Sequence, residues 1–222
     1  MPDAAERPVM RRSQLSVRIE TATREDFAEI AAVLAIAYAD DPVHRDIITD
    51  HPRRDVRLWR YFETLLRATD NERLEVTVAR RTDDRIVGVS VWQYMPVGHE
   101  GEMPGLLPHL GGLIRALGLR NLARALRVQR SLQQHRPVDE HWYLPFVGVL
   151  PEVRRNRVAT ALLGTKLSQL DELGLPGYLY SRTPADRRFF QNLGFGHGAV
   201  VASLPSARPL AMFRPPARRR RR

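Results

Sequence analysis

Residues 141–195 constrain the chain more than any other segment. They read as a strand (HWYLPFVGVL), an arginine-rich turn (PEVRRNR), a helix (VATALLGTKLSQLDEL), a second strand (GYLY), a short helix (ADRRFFQN) and then Leu193-Gly194-Phe195. A strand that runs into a cationic turn and a helix start gathers free backbone N–H groups and the positive end of a helix dipole at one place. The expected result is an anion pocket with a phosphate group as occupant. Standing alone, the arginine cluster would be a solvated basic turn. Its place between strand and helix, with Ala161, Leu162 and Leu163 behind it, favours the phosphate site.

The rest of the chain supplies elements to surround such a unit. A strand over 17–22 precedes a helix capped by Thr23 with Asp26 in its first turn. Phe27, Ile30, Leu34 and Ala37 recur at helical spacing, as they would to pack on a sheet. A second helix, 55–68, sets Leu58, Trp59, Phe62, Leu65 and Leu66 along one side as core. Leu74, Val76 and Val78 alternate, Thr82-Asp83-Asp84 turn the chain, and Val87, Val89 and Val91 continue as the partner of a hairpin. Over 104–136, Leu113, Leu117, Leu122, Leu126 and Leu132 are interleaved with Arg115, Arg120, Arg124, Arg127 and Arg130, and Gly118 divides the stretch into two helices. A basic amphipathic stretch of this kind can lie on a membrane or cover a sheet or pocket; the second is commoner and is expected here. Segments 199–204 and 209–214 pair as a closing hairpin.

A length of 222 residues suits one domain, taken as 17–214, with a flexible N-terminal segment 1–16 and a disordered arginine-rich tail 215–222. Cysteine is absent, which excludes disulfides, a thiol nucleophile and cysteine metal sites. Histidines are scattered without an HExxH motif, so no metal is expected. Arg218 to Arg222 supply five charges of the net +10. That tail offers weak, salt-dependent contact to anions, nucleic acid among them, but no helix-turn-helix or zinc finger accompanies it. Lys166 is the only lysine, a bias that points to a GC-rich bacterial genome. The first residues lack an apolar core of signal type and no run is long enough to cross a bilayer, so a cytoplasmic protein without membrane contact is expected.

The order and spacing of these elements resemble the Gcn5-related N-acetyltransferases (GNAT), and within them the puromycin N-acetyltransferase-like branch. The residues that carry the resemblance are His141-Trp142-Tyr143-Leu144, Val147-Gly148-Val149, Pro151-Glu152-Val153-Arg154, Ala159 with Ala161-Leu162-Leu163, Gly174-Leu175-Pro176 with Tyr178-Leu179, and Leu193-Gly194-Phe195. It extends over 17–214, with specific motifs in the second half only. It implies an α/β (α+β) fold whose central, mostly antiparallel sheet splays between its fourth and fifth strands and is flanked by helices. It also implies acetyl-CoA as acyl donor, the pantetheine arm pairing with the open edge of 144–149 as an added strand would. Pro145 lacks an N–H and fits a bulge or open edge there.

The cofactor-binding set implied by the resemblance is Val147, Gly148 and Val149, then Arg154, Arg155, Asn156, Arg157, Val158, Ala159 and Thr160, then Asp186, Phe189 and Phe190. Four positions depart from the family pattern. The middle glycine of its Gln/Arg-x-x-Gly-x-Gly/Ala loop is Arg157; if a positive φ is needed there, arginine costs about 1–3 kcal/mol of strain, which charge-assisted hydrogen bonds to a phosphate can return. The tyrosine acid of Phe-Tyr-x-x-x-Gly-Phe is Phe190, an upstream asparagine is Asp186, and a glutamate at the end of the fifth strand is Tyr180.

Acetyl transfer needs a neutral amine, donors for the oxyanion and an acid for the departing thiolate. Backbone N–H groups around 147–149 are the expected oxyanion donors. Tyr180, Ser181 and Tyr143 are the candidates for the missing acid, although a thiol of pKa about 8.5 can leave unaided. Asp139, Glu140 or His141 could take the amine proton through water, or belong to a solvated loop. Asp40-Asp41-Pro42 either presents carboxylates to a cationic acceptor or makes a turn after a helix. The expected function is acetyl transfer from acetyl-CoA to a primary amine of a small molecule within a ternary complex, by a monomer or homodimer. The alternative is a catalytically silent acyl-CoA-binding or regulatory protein, and a nucleic-acid protein using its tail ranks third.

Overall fold

The computed structural model describes residues 16–49, 52–69, 72–98, 106–201 and 207–216. In chain order the elements are β1 (Val17–Thr21), α1 (Phe27–Ala37), α2 (Pro42–Ile47), α3 (Arg54–Ala68), β2 (Leu74–Arg81), β3 (Ile86–Met95), α4 (Leu106–Gln133), β4 (His141–Val149), α5 (Val158–Leu173), β5 (Gly177–Ser181), α6 (Pro184–Asn192), β6 (Gly196–Val200) and β7 (Leu210–Arg214). The described strands form one seven-stranded sheet in the order β1-β2-β3-β4-β5-β7-β6. Neighbours are antiparallel except β4 and β5, which are parallel.

The period of two in β3 explains how the sheet is covered. Val87, Val89 and Val91 join the core built with α1, α3 and α4, whereas Trp92 belongs to the cluster under α5 and α6. Gly88 also faces α5: a Cβ there would lie 3.0 Å from Val158 Cγ1 and 3.1 Å from Leu162 Cδ1. The only lysine, Lys166, is buried on α5, where its ammonium pairs with Glu75 and lies 3.2 Å from the centroid of the Trp142 ring.

The expected splay is present, and Pro145 stands at its apex. β4 pairs with β5 only at Trp142↔Gly177, Tyr143↔Tyr178 and Leu144↔Leu179. It stays paired with β3 as far as Gly88↔Val149. Tyr143 faces Gln93 and Phe146 faces Val91, so Leu144 and Pro145 together oppose Trp92. This is a bulge, and a residue without an N–H suits it because no ladder bond is lost.

Three local results differ from or extend the sequence reading. Residues 42–47 form α2, an element that neither reading of Asp40-Asp41-Pro42 included: Asp41 caps it, its Oδ1 accepting from His44 N at 2.9 Å, and Pro42 takes the first turn. The closing hairpin uses 196–200 instead of 199–204, because pairing with β7 starts at Gly196↔Phe213; residues 202–206 lie outside the described residues. α4 breaks where expected, Gly118 having φ 73 and ψ 161. The expectations for segment 1–15 and for the end of the tail, 217–222, also fall outside the described residues. Among the described residues no helix is long and apolar enough to cross a membrane.

Candidate active site

Two cavities meet at Arg182. The first is the cleft where β4 and β5 part, lined by Val147, Val149, Arg154, Ala159, Asp186, Phe189 and Phe190, with Tyr38, Asp40 and Asp41 across from them. The second lies beneath α4 and is walled by leucines 113, 117, 122, 126 and 132, with His44, Tyr61, Tyr143 and Phe146. The leucine stripe of 104–136 therefore covers a pocket.

The turn before α5 is left-handed at two residues. Arg155 has φ 65 and Arg157 has φ 60, both left-handed, and Arg157 is the residue that starts α5. Arginine carries a Cβ into a region that glycine enters freely, at about 1–2 kcal/mol per residue. Left-handed residues before a helix turn successive N–H groups toward one side, the geometry of an anion nest. The side chains divide: Arg154 and Ala159 line the cleft, Arg155, Asn156, Arg157 and Thr160 are exposed, and Val158 is buried against Gly88.

On the open edge of β4, the backbone groups expected to receive a ligand already have partners. The Tyr38 hydroxyl accepts from Val147 N–H at 3.1 Å and donates to the Val147 carbonyl at 3.1 Å. Arg182 Nη2 donates to the Pro145 carbonyl at 3.1 Å and Nη1 to the Tyr38 hydroxyl at 3.2 Å. Gly148 has a different task from cofactor contact: a Cβ there would lie 2.9 Å from Ala37 Cβ, so its absence lets α1 reach β4.

Arg182 is largely shielded, its side chain 16% exposed, and its charge is met by Asp41, with Nε 3.4 Å from Oδ2. Burial would raise the Asp41 carboxyl, but Arg182 and the His44 hydrogen bonds outweigh it and hold it at about 2. Its other oxygen, Oδ1, lies 2.7 Å from His44 Nδ1. Burial pushes His44 below its ordinary 6.5, and Asp41 offsets this only in part. Burial likewise pushes the Tyr38 hydroxyl up, against the pull of Arg182. Adjacent Asp40 is exposed at the cleft rim and pairs with Arg45 at 2.6 Å.

The three candidate acids are dispersed. Tyr143 lines the apolar pocket, under the Arg136 guanidinium at 4.3 Å from its ring centroid. Tyr180 borders the cleft, but its hydroxyl is donated to the Leu132 carbonyl and burial drives its pKa strongly up. Ser181 is fully buried, lines neither cavity, and turns its Oγ to the Leu210 carbonyl at 3.4 Å. Asp139, Glu140 and His141 also line neither; Glu140 accepts from Tyr94 and His141 Nδ1 contacts the Asp139 carbonyl. Asp186 completes a capping box with Thr183, each accepting the other's N–H, at 3.0 and 3.1 Å. Phe190 is buried in the cleft wall, 5.2 Å from the ring of Phe189.

Sequence reasoning missed Tyr38, His44 and Arg182. For His44 a signal existed: Asp41-Pro42-Val43-His44 is a helix start, which puts the fourth residue back over the capping carboxylate. Arg182 carries no local sign, because its partners come from positions 38, 41 and 145.

No protein-family model matches the sequence. Solved structures do resemble the fold. One is a Corynebacterium glutamicum protein of the class histone acetyltransferase HPA2 and related acetyltransferases, with TM-score 0.70 and 24% identity over 93% of this chain and 100% of that one. The chain has the GNAT fold. The arylalkylamine N-acetyltransferase 2 of Aedes aegypti shares it at TM-score 0.57 and 14% identity, over 90% of this chain and 99% of the other. So does the PaiA N-acetyltransferase of Thermoplasma acidophilum in complex with coenzyme A, at TM-score 0.54 and 11% identity, over 90% and 99%. Within this GNAT fold the splayed edge of β4 and the left-handed arginine turn open on one cleft, and the α4 pocket adjoins it through Arg182.

Proposed function

We propose that the chain is an N-acetyltransferase that moves an acetyl group from acetyl-CoA to the primary amine of a small molecule by direct attack in a ternary complex. One observation carries this: β4 and β5 part after Leu144↔Leu179, leaving a cleft bounded by Val147 and Val149 on one side and the 154–159 turn at its end. A strand edge with no neighbouring strand suits an amide-bearing pantetheine arm that displaces Tyr38 and Arg182 from its backbone groups, and an N–H nest beside Arg154 suits a diphosphate. That a GNAT-fold relative binds coenzyme A and others are named for small amines supports the reading. The placement in the puromycin N-acetyltransferase-like branch and in the cytoplasm rests on the sequence motifs and composition alone.

Phe190 has no proton to give, but Tyr38 brings a hydroxyl to the same cleft. A thioester oxygen that takes the Val147 N–H replaces Tyr38 in one hydrogen bond and leaves that hydroxyl, with Arg182 behind it, beside the reacting group. Tyr38 is then placed to protonate the departing thiolate, a contribution worth about 10²–10⁴ in rate.

The test is release of CoA thiol from acetyl-CoA with a panel of primary amines. Amine-dependent release that weakens about tenfold or more in KM for acetyl-CoA on Arg154→Ala supports the transferase; the loss of one charge-assisted bond predicts that factor. Tight binding of acetyl-CoA without release with any amine establishes the silent binder instead.

A further inference from the structure

The transferase reading leaves open where the acceptor amine sits and which group takes its proton. The α4 pocket adjoins the cleft, and its walls are aliphatic and aromatic apart from His44, two glutamines, Thr69, two tyrosines, Arg136 and Arg182. Among the described residues no carboxylate lines it. Asp41, the nearest acid, has both oxygens committed, one to Arg182 and the other to His44. A polycation would meet no counter-charge here, and an ammonium would be repelled by Arg182. The interior selects an apolar body with one amine that enters, or becomes, neutral.

His44 is built to make it neutral. Its ring is 3% exposed and fixed by edge contacts with Tyr38 at 5.1 Å and Tyr61 at 6.0 Å, and by Phe62 at 5.2 Å. The ionised Asp41 carboxylate can only accept, so Nδ1 must carry the proton of their 2.7 Å bond. That fixes the tautomer with Nε2 unprotonated, a base on a residue that lines the pocket. We propose that His44, oriented by Asp41, is the base that takes the proton of the acceptor, and that the pocket it lines admits apolar primary monoamines and rejects polyamines. This rests on the transferase reading above.

The protons balance as follows. His44 Nε2 takes one proton from the ammonium, and the imidazolium so formed faces the Asp41 carboxylate. The neutral nitrogen attacks the thioester carbonyl carbon; the C–N bond forms and the C–S bond breaks. The proton that nitrogen sheds on becoming an amide passes to the thiolate by way of Tyr38. The imidazolium then returns its proton to solvent, so the net products are amide, thiol and one proton.

The groups that set the titration of His44 are Asp41 beside it, Arg54 of α3 and Arg182 after β5; Tyr38 just after α1 and Tyr61 of α3 pack on its ring, and Tyr143 of β4 lines the same pocket. The experiment compares the full-length wild type with His44→Asn, in which an amide N–H replaces Nδ1–H toward Asp41 and the ring edge that carries Nε2 is lost. Phenethylamine, octylamine and spermidine serve as acceptors. The expected result is wild-type turnover of the two monoamines but not spermidine, with an acidic limb in kcat/KM that lies below the ordinary histidine 6.5 because burial holds His44 down. His44→Asn should lose about 10²–10⁴-fold in kcat and the acidic limb with it, while binding acetyl-CoA as the wild type does. Calorimetry with acetyl-CoA and a thermal melt show that the variant is folded. An active wild type whose His44→Asn variant keeps both rate and limb overturns the dyad alone, and preference for spermidine overturns the pocket assignment. A wild type silent with all three amines overturns the transferase reading and the dyad with it.

Discussion

The two cavities that meet at Arg182 are made of different materials. The β4–β5 cleft owes its shape to main-chain geometry: a strand edge released at Pro145 and a turn with left-handed residues at Arg155 and Arg157. The α4 pocket is built from side chains delivered by six elements, with its polar content concentrated in His44, Arg136, Arg182 and a few neutral groups. A site built on main-chain donors tolerates substitution of its side chains. A side-chain site does not, because removing Arg182 leaves Asp41 buried with half its partners gone.

The contrast can be broken most forcefully at Arg182, which belongs to both cavities. Arg182→Ala removes one member of a buried ion pair and should cost about 3–5 kcal/mol, a Tm lowered by roughly 10 °C at 2–4 °C per kcal/mol. Thermal denaturation checks this, and a loss below 1 kcal/mol would mean that water already solvates the pair. Gly148→Ala comes next. Its Cβ at 2.9 Å from Ala37 Cβ pushes α1 off β4 and should cost about 1–3 kcal/mol by overpacking, with turnover falling more than stability because Tyr38 and Asp41 shift with the helix end.

Arg157→Gly sharpens the comparison in the opposite direction. Relief of a left-handed arginine should raise stability by about 1 kcal/mol, and acetyl-CoA titration should show affinity retained if the nest is a backbone site. A tenfold loss of affinity would assign the anion to the guanidinium. The smallest effect expected is on the pH dependence of stability. His44 is held below 6.5, so as pH falls the unfolded chain binds that proton first; the contribution is present above 6.5 and declines below it. Asp41 is held at about 2 from an ordinary 3.8, so its contribution is present above 3.8 and is lost as pH falls toward 2. His44→Asn should flatten the first decline and leave the second, as urea titrations across pH would reveal.

The fold was legible wherever one element's pattern was sufficient. Alternation at Leu74–Val78 and Val87–Val91 gave the central strands, the stripe from Leu113 to Leu132 gave a covering helix, and Pro145 marked the place where β4 lets go of β5. The closing strand was placed three residues late, since exposed β6 owes its position to the register of β7. Asp186, read as a ligand contact, lines the cleft and also closes a capping box that sequence reasoning missed, a signal written in the four consecutive residues Thr183-Pro184-Ala185-Asp186.

The sequence by itself determined the strand, basic turn and helix of 141–173, because each of them is set by a local pattern of residues. It also determined that α4 would turn a leucine face inward. Only the tertiary structure decided that Tyr38 occupies the open edge of β4, that Arg182 divides two cavities, and that Asp41 serves Arg182 and His44 together. Those groups are up to 144 residues apart. No spacing rule connects them, because their positions depend on how α1 is pressed against β4 at Gly148 and how β5 diverges beyond Leu179.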